Sequence, residues 1–172
     1  MVDDPEGRRI EFVQYLPGSL HAGKFGTLLP PTGVSQHIIH AGFIVHDRNA
    51  EDHFYKDILG FELMWYGGMK DDEIKWVDMR VPNGSDWLEY MLGVTSPSPH
   101  TRGVMNHFAL GVEEIQTADK KILAHGFKPS EQPKIGRDGK WQLNLYDPDL
   151  TRVELMEFKP VETPCCSKYN MY

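Results

Sequence analysis

The sequence predicts an α+β fold in which two copies of a strand–helix–three-strand unit share one mixed sheet system. Three observations predict it. HAGFIVHDRNAEDHFYKDILGF, from His40 to Phe61, and HFALGVEEIQTADKKILAHGF, from His107 to Phe127, follow one grammar. Strand-like runs split by turn signals follow each of them. Each half then ends in an apolar strand with one carboxylate inside it, Glu89 or Glu154.

The elements follow in order. Each half opens on a histidine and an alternating strand that reaches Val45 or Val112, and an acidic residue, Asp47 or Glu114, comes next. In the first helix Asn49 is the expected N-cap, and Phe54, Tyr55, Ile58 and Leu59 form the apolar stripe. In the second helix Ile115, Ala118, Ile122 and Leu123 form it. Gly60 and Gly126 suit the left-handed position past a helix end. FELMWY (61–66), KWVDMRV (75–81) and DWLEYML (86–92) read as strands of the first half. WQLNLY (141–146) and TRVELMEF (151–158) read as strands of the second.

Composition narrows the function classes. The chain has 172 residues, 40% of them hydrophobic, and can bury one sizeable core. A formal net charge of −7 without a Lys/Arg-rich run argues against a nucleic-acid partner. No apolar stretch approaches the roughly 20 residues that span a bilayer, so no membrane partner is expected. MVDDPEGRR does not read as a signal peptide. The only cysteines, Cys165 and Cys166, are adjacent and build no disulfide framework. A cytoplasmic location is the expectation.

Side chains alternate across a strand, which sorts the two faces. His40 shares a face with Gly42, and His107 shares one with Ala109 and Gly111. Glu89 opposes Leu88, Tyr90 and Leu92, and Glu154 opposes Val153 and Leu155. The apolar faces would pack on the helices, leaving His40, Glu89, His107 and Glu154 on the concave side. A carboxylate in an apolar strand is costly unless paired or bound to metal. Two imidazoles and two carboxylates in one cavity suit a divalent transition metal. His37, His46, His53, His100 and His125 lack the repeat relation and read as surface or local hydrogen-bonding residues. Trp65, Trp76, Trp87 and Trp141 read as sheet packing or as pocket lining.

These residues resemble the vicinal oxygen chelate superfamily, which includes glyoxalase I, methylmalonyl-CoA epimerase, extradiol dioxygenases and fosfomycin-resistance enzymes. HAGFIVHD with FYKDILGF, NHFALGVEE and DPDLTRVELME carry the resemblance, over roughly 37–159. It implies paired βαβββ modules forming a curled mixed sheet around a metal-binding cavity. His40, Glu89, His107 and Glu154 match all four metal positions of glyoxalase I. The implied cofactor is one divalent transition metal ion: Ni, Zn, Mn, Co or Fe. The implied activity is a lyase or isomerase acting through a metal-stabilised enediolate on a small oxygen-chelating substrate. Glu154, or else Glu89, would be the catalytic base. Two alternatives stand beside it. One is an Fe(II)-dependent ring-cleaving dioxygenase, although Asn144 stands where that branch carries a catalytic tyrosine. The other is a small-molecule binding or resistance protein without catalysis. The resemblance also allows a homodimer.

The remaining segments divide the chain. Residues 1–16, containing DPEGRRIEFVQYL, are expected to be an orphan strand like the end of an upstream copy, able to pair with a sheet edge. Residues 17–36 read as a Gly/Pro-rich linker. The domain spans 37–159, with modules 37–95 and 104–159, and 160–172 read as a tail.

Overall fold

The computed structural model describes residues 1–170. The chain opens with a two-stranded ribbon, β1 (Val2–Asp3) and β2 (Arg9–Ile10), and a short exposed helix, α1 (Leu20–Lys24). The first module follows as β3 (Ile38–Val45), α2 (Arg48–Asp52) running on through a π turn (His53–Ile58), β4 (Glu62–Gly67), β5 (Trp76–Arg80) and β6 (Trp87–Leu92). After α3 (Pro99–Met105), the second runs β7 (His107–Val112), α4 (Ile115–Ala124), β8 (Lys134–Ile135), β9 (Trp141–Tyr146) and β10 (Arg152–Glu157).

All eight strands from β3 onward form one mixed sheet in the order β4-β5-β6-β3-β7-β10-β9-β8. The modules meet at the centre, where β3 and β7 pair antiparallel. On either side β6 lies parallel to β3, and β10 lies parallel to β7. The four strands that begin or end the modules are therefore neighbours, with the Glu-bearing strands outside the His-bearing ones.

The convex face holds the main cores. Val45, Tyr55, Val77, Met79 and Tyr90 pack under the first helix, and Val112, Ile115, Ala118, Ile122, Leu143 and Leu155 pack under α4. Full burial of such side chains contributes about 1.5–3 kcal/mol each.

Three local expectations need correction. Asp47, not Asn49, caps α2: its carboxylate accepts the Ala50 N–H at 3.1 Å. The stripe also loses Ile58, which is 61% exposed. The cause is the π turn, in which the Leu59 N–H donates to Phe54 O, a five-residue step that rotates the following side chains. Leu123 on α4 is likewise exposed.

The third correction concerns 160–170, which is not a free tail. It crosses from one lip of the curled sheet to the other. Val161 and Cys165 donate their N–H groups to Gly139 O and Arg137 O in the β8–β9 loop. Ser167 then exchanges hydrogen bonds with Tyr66 on β4, and the Asn170 N–H donates to Met64 O. Tyr169 packs against Ile39, Met64, Trp87, Ala109 and Met156. Cys165 and Cys166 are joined to each other by a disulfide. Residues 171–172 of the expected tail lie outside the described residues.

The N-terminal ribbon does not join the sheet: among the described residues β2 pairs only with β1, and 11–16 carry no strand. Its turn docks on the first module instead. Arg8 donates to Ile44 O at 2.9 Å and to Glu51 Oε1 at 2.7 Å, and its guanidinium lies over the Phe43 ring. Glu51 is fully buried, and burial pushes its carboxyl up to about 7 against the pull of Arg8. Arg8→Ala strands this carboxyl without its partner. A loss of about 3 kcal/mol is expected in urea unfolding, with little recovery in Arg8→Lys, because an ammonium lacks the fork that reaches both acceptors.

Glu6 ties the same turn to the start of α2. It accepts the His46 and Asp47 N–H groups at 2.7 and 2.9 Å. Burial opposes its charge, but these bonds and His46 hold it at about 2, below the ordinary 4.5. A depressed carboxylate stabilises the fold above its unfolded value and loses that contribution as pH falls. Amide-exchange protection at His46 and Asp47 should therefore decay between about pH 4.5 and pH 2.

Candidate metal centre

The strand order brings the four sequence-identified residues to one place. His40 and His107 project from the two central strands, flanked by Glu89 on β6 and Glu154 on β10. The two Nε2 atoms face each other at 3.1 Å. Glu89 Oε2 lies 3.0 Å from His107 Nε2 and 3.9 Å from His40 Nε2. Glu154 Oε2 lies 3.5 Å from His40 Nε2 and 3.7 Å from His107 Nε2. Donor atoms of His40, Glu89 and His107 all lie within 4.8 Å of one another. Ligands about 2.1 Å from a shared ion stand about 3–3.5 Å apart, so this spacing fits a transition metal.

Small neighbours make the approach possible. A Cβ on Gly42 would fall on the His107 imidazole, with Nε2 only 2.8 Å away. A Cβ on Gly111 would strike the Phe158 ring and Ile39. Both glycines thus serve close packing around the histidine strands.

The protonation pattern also favours a cation. His107 Nδ1 lies 3.0 Å from Met105 O, a carbonyl that can only accept, so Nδ1 carries the proton. In the neutral ring Nε2 is then a bare lone pair facing a carboxylate oxygen. Such a contact is repulsive unless positive charge stands close by. The Arg152 guanidinium supplies it here, with Nη2 at 2.6 Å from His107 Nε2 and 3.9 Å from Glu89 Oε2. Burial pushes His40 down against the pull of Glu154 and Glu89, favouring the neutral, ligating imidazole. Burial would raise Glu154, but His40 and Arg152 hold it at about 2. Glu89 is held low in the same way by His107, His40 and Arg152. Both carboxylates are therefore ionised acceptors.

The centre opens into a cavity of about 300 Å³. Trp65, Met69 and Trp76 make one wall, and Lys134, Arg137 and Gln142 line the other. Of the four tryptophans, Trp65, Trp76 and Trp87 line the cavity, whereas Trp141 packs in the core beneath α4. The other histidines are engaged locally or exposed. His37 pairs with Asp86, His46 with Glu6 and His53 with Asp57, and His100 lies beside the Tyr146 ring. His125 ends α4.

Sequence reasoning gave no site role to Arg152, Asp78 or Asn144, all of which line the cavity. Arg152 shares the concave face with Glu154 two positions on, and alternation alone could have found it. Asp78 stands opposite Glu89 in the β5–β6 ladder, where burial and that neighbour raise its carboxyl well above the usual range. KWVDMRV held the same signal as the other strands, a carboxylate amid apolar residues. Asn144 pairs across from Glu154 and donates to Glu131 Oε2 at 3.1 Å.

A family model described as Glyoxalase/Bleomycin resistance protein/Dioxygenase superfamily matches residues 37–155. The chain belongs to that superfamily. Among solved structures, the superfamily chain is similar to methylmalonyl-CoA epimerase from Mycobacterium tuberculosis, at TM-score 0.62 and 18% identity, covering 78% of this chain and 95% of that one. A hypothetical protein from Bacillus halodurans C-125 matches at TM-score 0.58 and 18% identity, over 73% and 96% of the two chains. A variant Streptomyces coelicolor methylmalonyl-CoA epimerase in complex with 2-nitronate-propionyl-CoA matches at TM-score 0.57 and 21% identity, over 74% and 98%. These likenesses establish the fold of the superfamily, the curled sheet of paired βαβββ modules. No curated protein matches the sequence. Among the described residues no helix is long and apolar enough to cross a membrane.

Proposed function

We propose that the chain is a metal-dependent isomerase or lyase that moves a proton on the carbon beside a carbonyl of a small oxygen-chelating substrate. The observation that carries this is the meeting of His40, His107, Glu89 and Glu154 at one buried point beside the cavity, with nitrogen–oxygen separations of 3.0–3.9 Å. When bound there, a divalent ion supplies a Lewis acid that polarises the carbonyl and offsets negative charge on its oxygen. His40 and His107 would hold that ion through Nε2, with the His107 ring oriented by Met105 O. Glu154 stands off both imidazoles, takes the proton and returns it elsewhere on the substrate; Glu89, on the other flank, would hold the ion. Trp65, Trp76 and Met69 exclude water from one side. A carbonyl compound with an acidified neighbouring carbon is supported by the ligands of the epimerase neighbours, methylmalonyl-CoA and 2-nitronate-propionyl-CoA. A glyoxalase-type hemithioacetal has the same reacting unit.

The test is metal-dependent deuterium incorporation in D2O, followed by NMR, with a hemithioacetal and a 2-carboxyacyl thioester. Exchange at the carbon beside the carbonyl is expected, and its loss in Glu154→Gln. No exchange with either compound, together with tight ligand binding that survives chelation, would overturn the enzyme reading in favour of a binding protein.

Arg152 gives a prediction of its own. Its guanidinium shares His107 Nε2 and Glu89 with the ion, and once displaced it faces the cavity as an anion partner. In Arg152→Met, Co(II) affinity measured by calorimetry should rise several-fold. Binding of malonate to the Co(II)-loaded protein should fall about tenfold, the loss of one charge-assisted contact.

A further inference from the structure

The ribbon at the N-terminus repeats the β9–β10 hairpin residue by residue. Val2 pairs with Ile10 and Asp3 with Arg9, as Leu145 pairs with Val153 and Tyr146 with Arg152. The two turns share their backbone bonds and the bonds to the Asp carboxylate from the backbone. The Asp4 N–H donates to Arg8 O, and the Gly7 N–H to Asp4 O; the Asp147 N–H donates to Thr151 O, and the Leu150 N–H to Asp147 O. Asp4 Oδ1 accepts the Glu6 and Arg8 N–H groups, and Asp147 Oδ1 accepts those of Asp149 and Thr151. Gly7 and Leu150 take the same left-handed backbone, with φ of 80° and 67°. An Asx-turn accounts for the turns alone, and the likeness extends past them.

The chain beyond the turn also matches: RIEFVQY (9–15) against RVELMEF (152–158). Chemistry agrees at each step, but burial does not. Leu155 and Met156 are 0% and 4% exposed, whereas their counterparts Phe12 and Val13 are 62% and 57% exposed. In β10 these residues are covered because the strand lies parallel to β7, with Leu155 beside Leu110 and Met156 beside Gly111. The N-terminal segment has the side chains of a closing strand and lacks the strand it would close on. The ribbon is also held in place: Arg8 and Glu6 anchor its turn to Ile44, Glu51 and Asp47 of the described domain.

We infer that residues 2–15 are the closing hairpin of a second βαβββ module of this superfamily. The occupant of the apolar strand is the β7-type strand of such a module, paired in parallel with Arg9–Tyr15. Phe12 enters that module's convex core. Glu11 projects on its concave face, where Glu154 projects in the described domain. Only the role of Glu11 as a metal ligand rests on the proposed function. The pairing itself does not.

The register dictates the test. Met1 corresponds to Asn144, so residues 37–143 joined directly ahead of Met1 present a two-module domain lacking only the rest of its closing hairpin. This tandem should resist chymotrypsin at Phe12 and Tyr15, which the 172-residue chain should not. It should hold about twice the Co(II) of the original chain, and Glu11→Gln should return it to one equivalent. A control tandem carries residues 37–158 ahead of Met1, so that the added module keeps its own hairpin. A stable control beside a protease-sensitive first tandem overturns the inference. Protection without a second ion in either tandem keeps the hairpin and counts against the metal reading. A second variant decides the case if both tandems aggregate: DPEGRRIEFVQY in place of residues 147–158 of the original chain. Retention of a cooperative melt supports the inference, and loss of it overturns the inference.

Discussion

His107→Ala is expected to abolish stoichiometric metal binding and any metal-dependent exchange activity. The imidazole is within 3.1 Å of His40 Nε2, 3.0 Å of Glu89 and 3.7 Å of Glu154, so its removal takes away the nitrogen nearest Glu89 and leaves a single imidazole, His40, with the two carboxylates. Loss of an outer-shell partner typically weakens metal binding 10–100-fold, and loss of a ligand should exceed that, at about 1000-fold or more. Stability should change less. The alanine opens space toward a cavity that water already reaches, and it removes one member of a crowded polar cluster. Elemental analysis after reconstitution measures the first effect, and thermal unfolding the second. Retention of about one ion per chain in His107→Ala would remove the four-residue centre from consideration.

Gly42→Ala should act at the same place without touching a donor atom. The added methyl lands on the His107 ring from the neighbouring strand, where Gly42 is directly paired with His107. The ring cannot simply turn aside, because Nδ1 is fixed by Met105 O and the side chain is fully buried. Metal affinity should fall about 100-fold, on the scale of a lost orienting contact. Global stability should fall by about 1–3 kcal/mol, as in overpacked cores. The Co(II) absorption spectrum distinguishes the outcomes. A shifted spectrum with weakened binding marks a displaced imidazole. An unchanged spectrum and affinity would mean that the central strands yield instead.

The particular residues show where sequence was enough. A histidine with a small residue two positions on at the start of each module, Gly42 or Ala109, and a glutamate inside each closing strand, are local facts. Period-two alternation placed all four on one face, and the repeat turned four weak signals into one. The same alternation was present for Asp78 and Arg152, but neither recurs in the other half. Repetition could not single them out, although both line the cavity. The misplaced cap has a different cause. Asn49 and Asp47 both suit an N-cap, and Glu6, 41 positions away, engages the Asp47 N–H. The π turn that exposes Ile58 likewise leaves no mark in the apolar spacing.

The sequence by itself determined the paired modules and the faces of their strands, and it pointed to the four proposed donors, because these follow from periodicity and repetition of local patterns. Only the tertiary structure decided that β3 and β7 meet at the centre, that Arg152 stands among the donors, and that 160–170 straps the lips of the sheet together. Those outcomes depend on contacts between segments distant in the chain. Such contacts are fixed by packing and hydrogen-bond satisfaction across the whole sheet, and no local pattern encodes them.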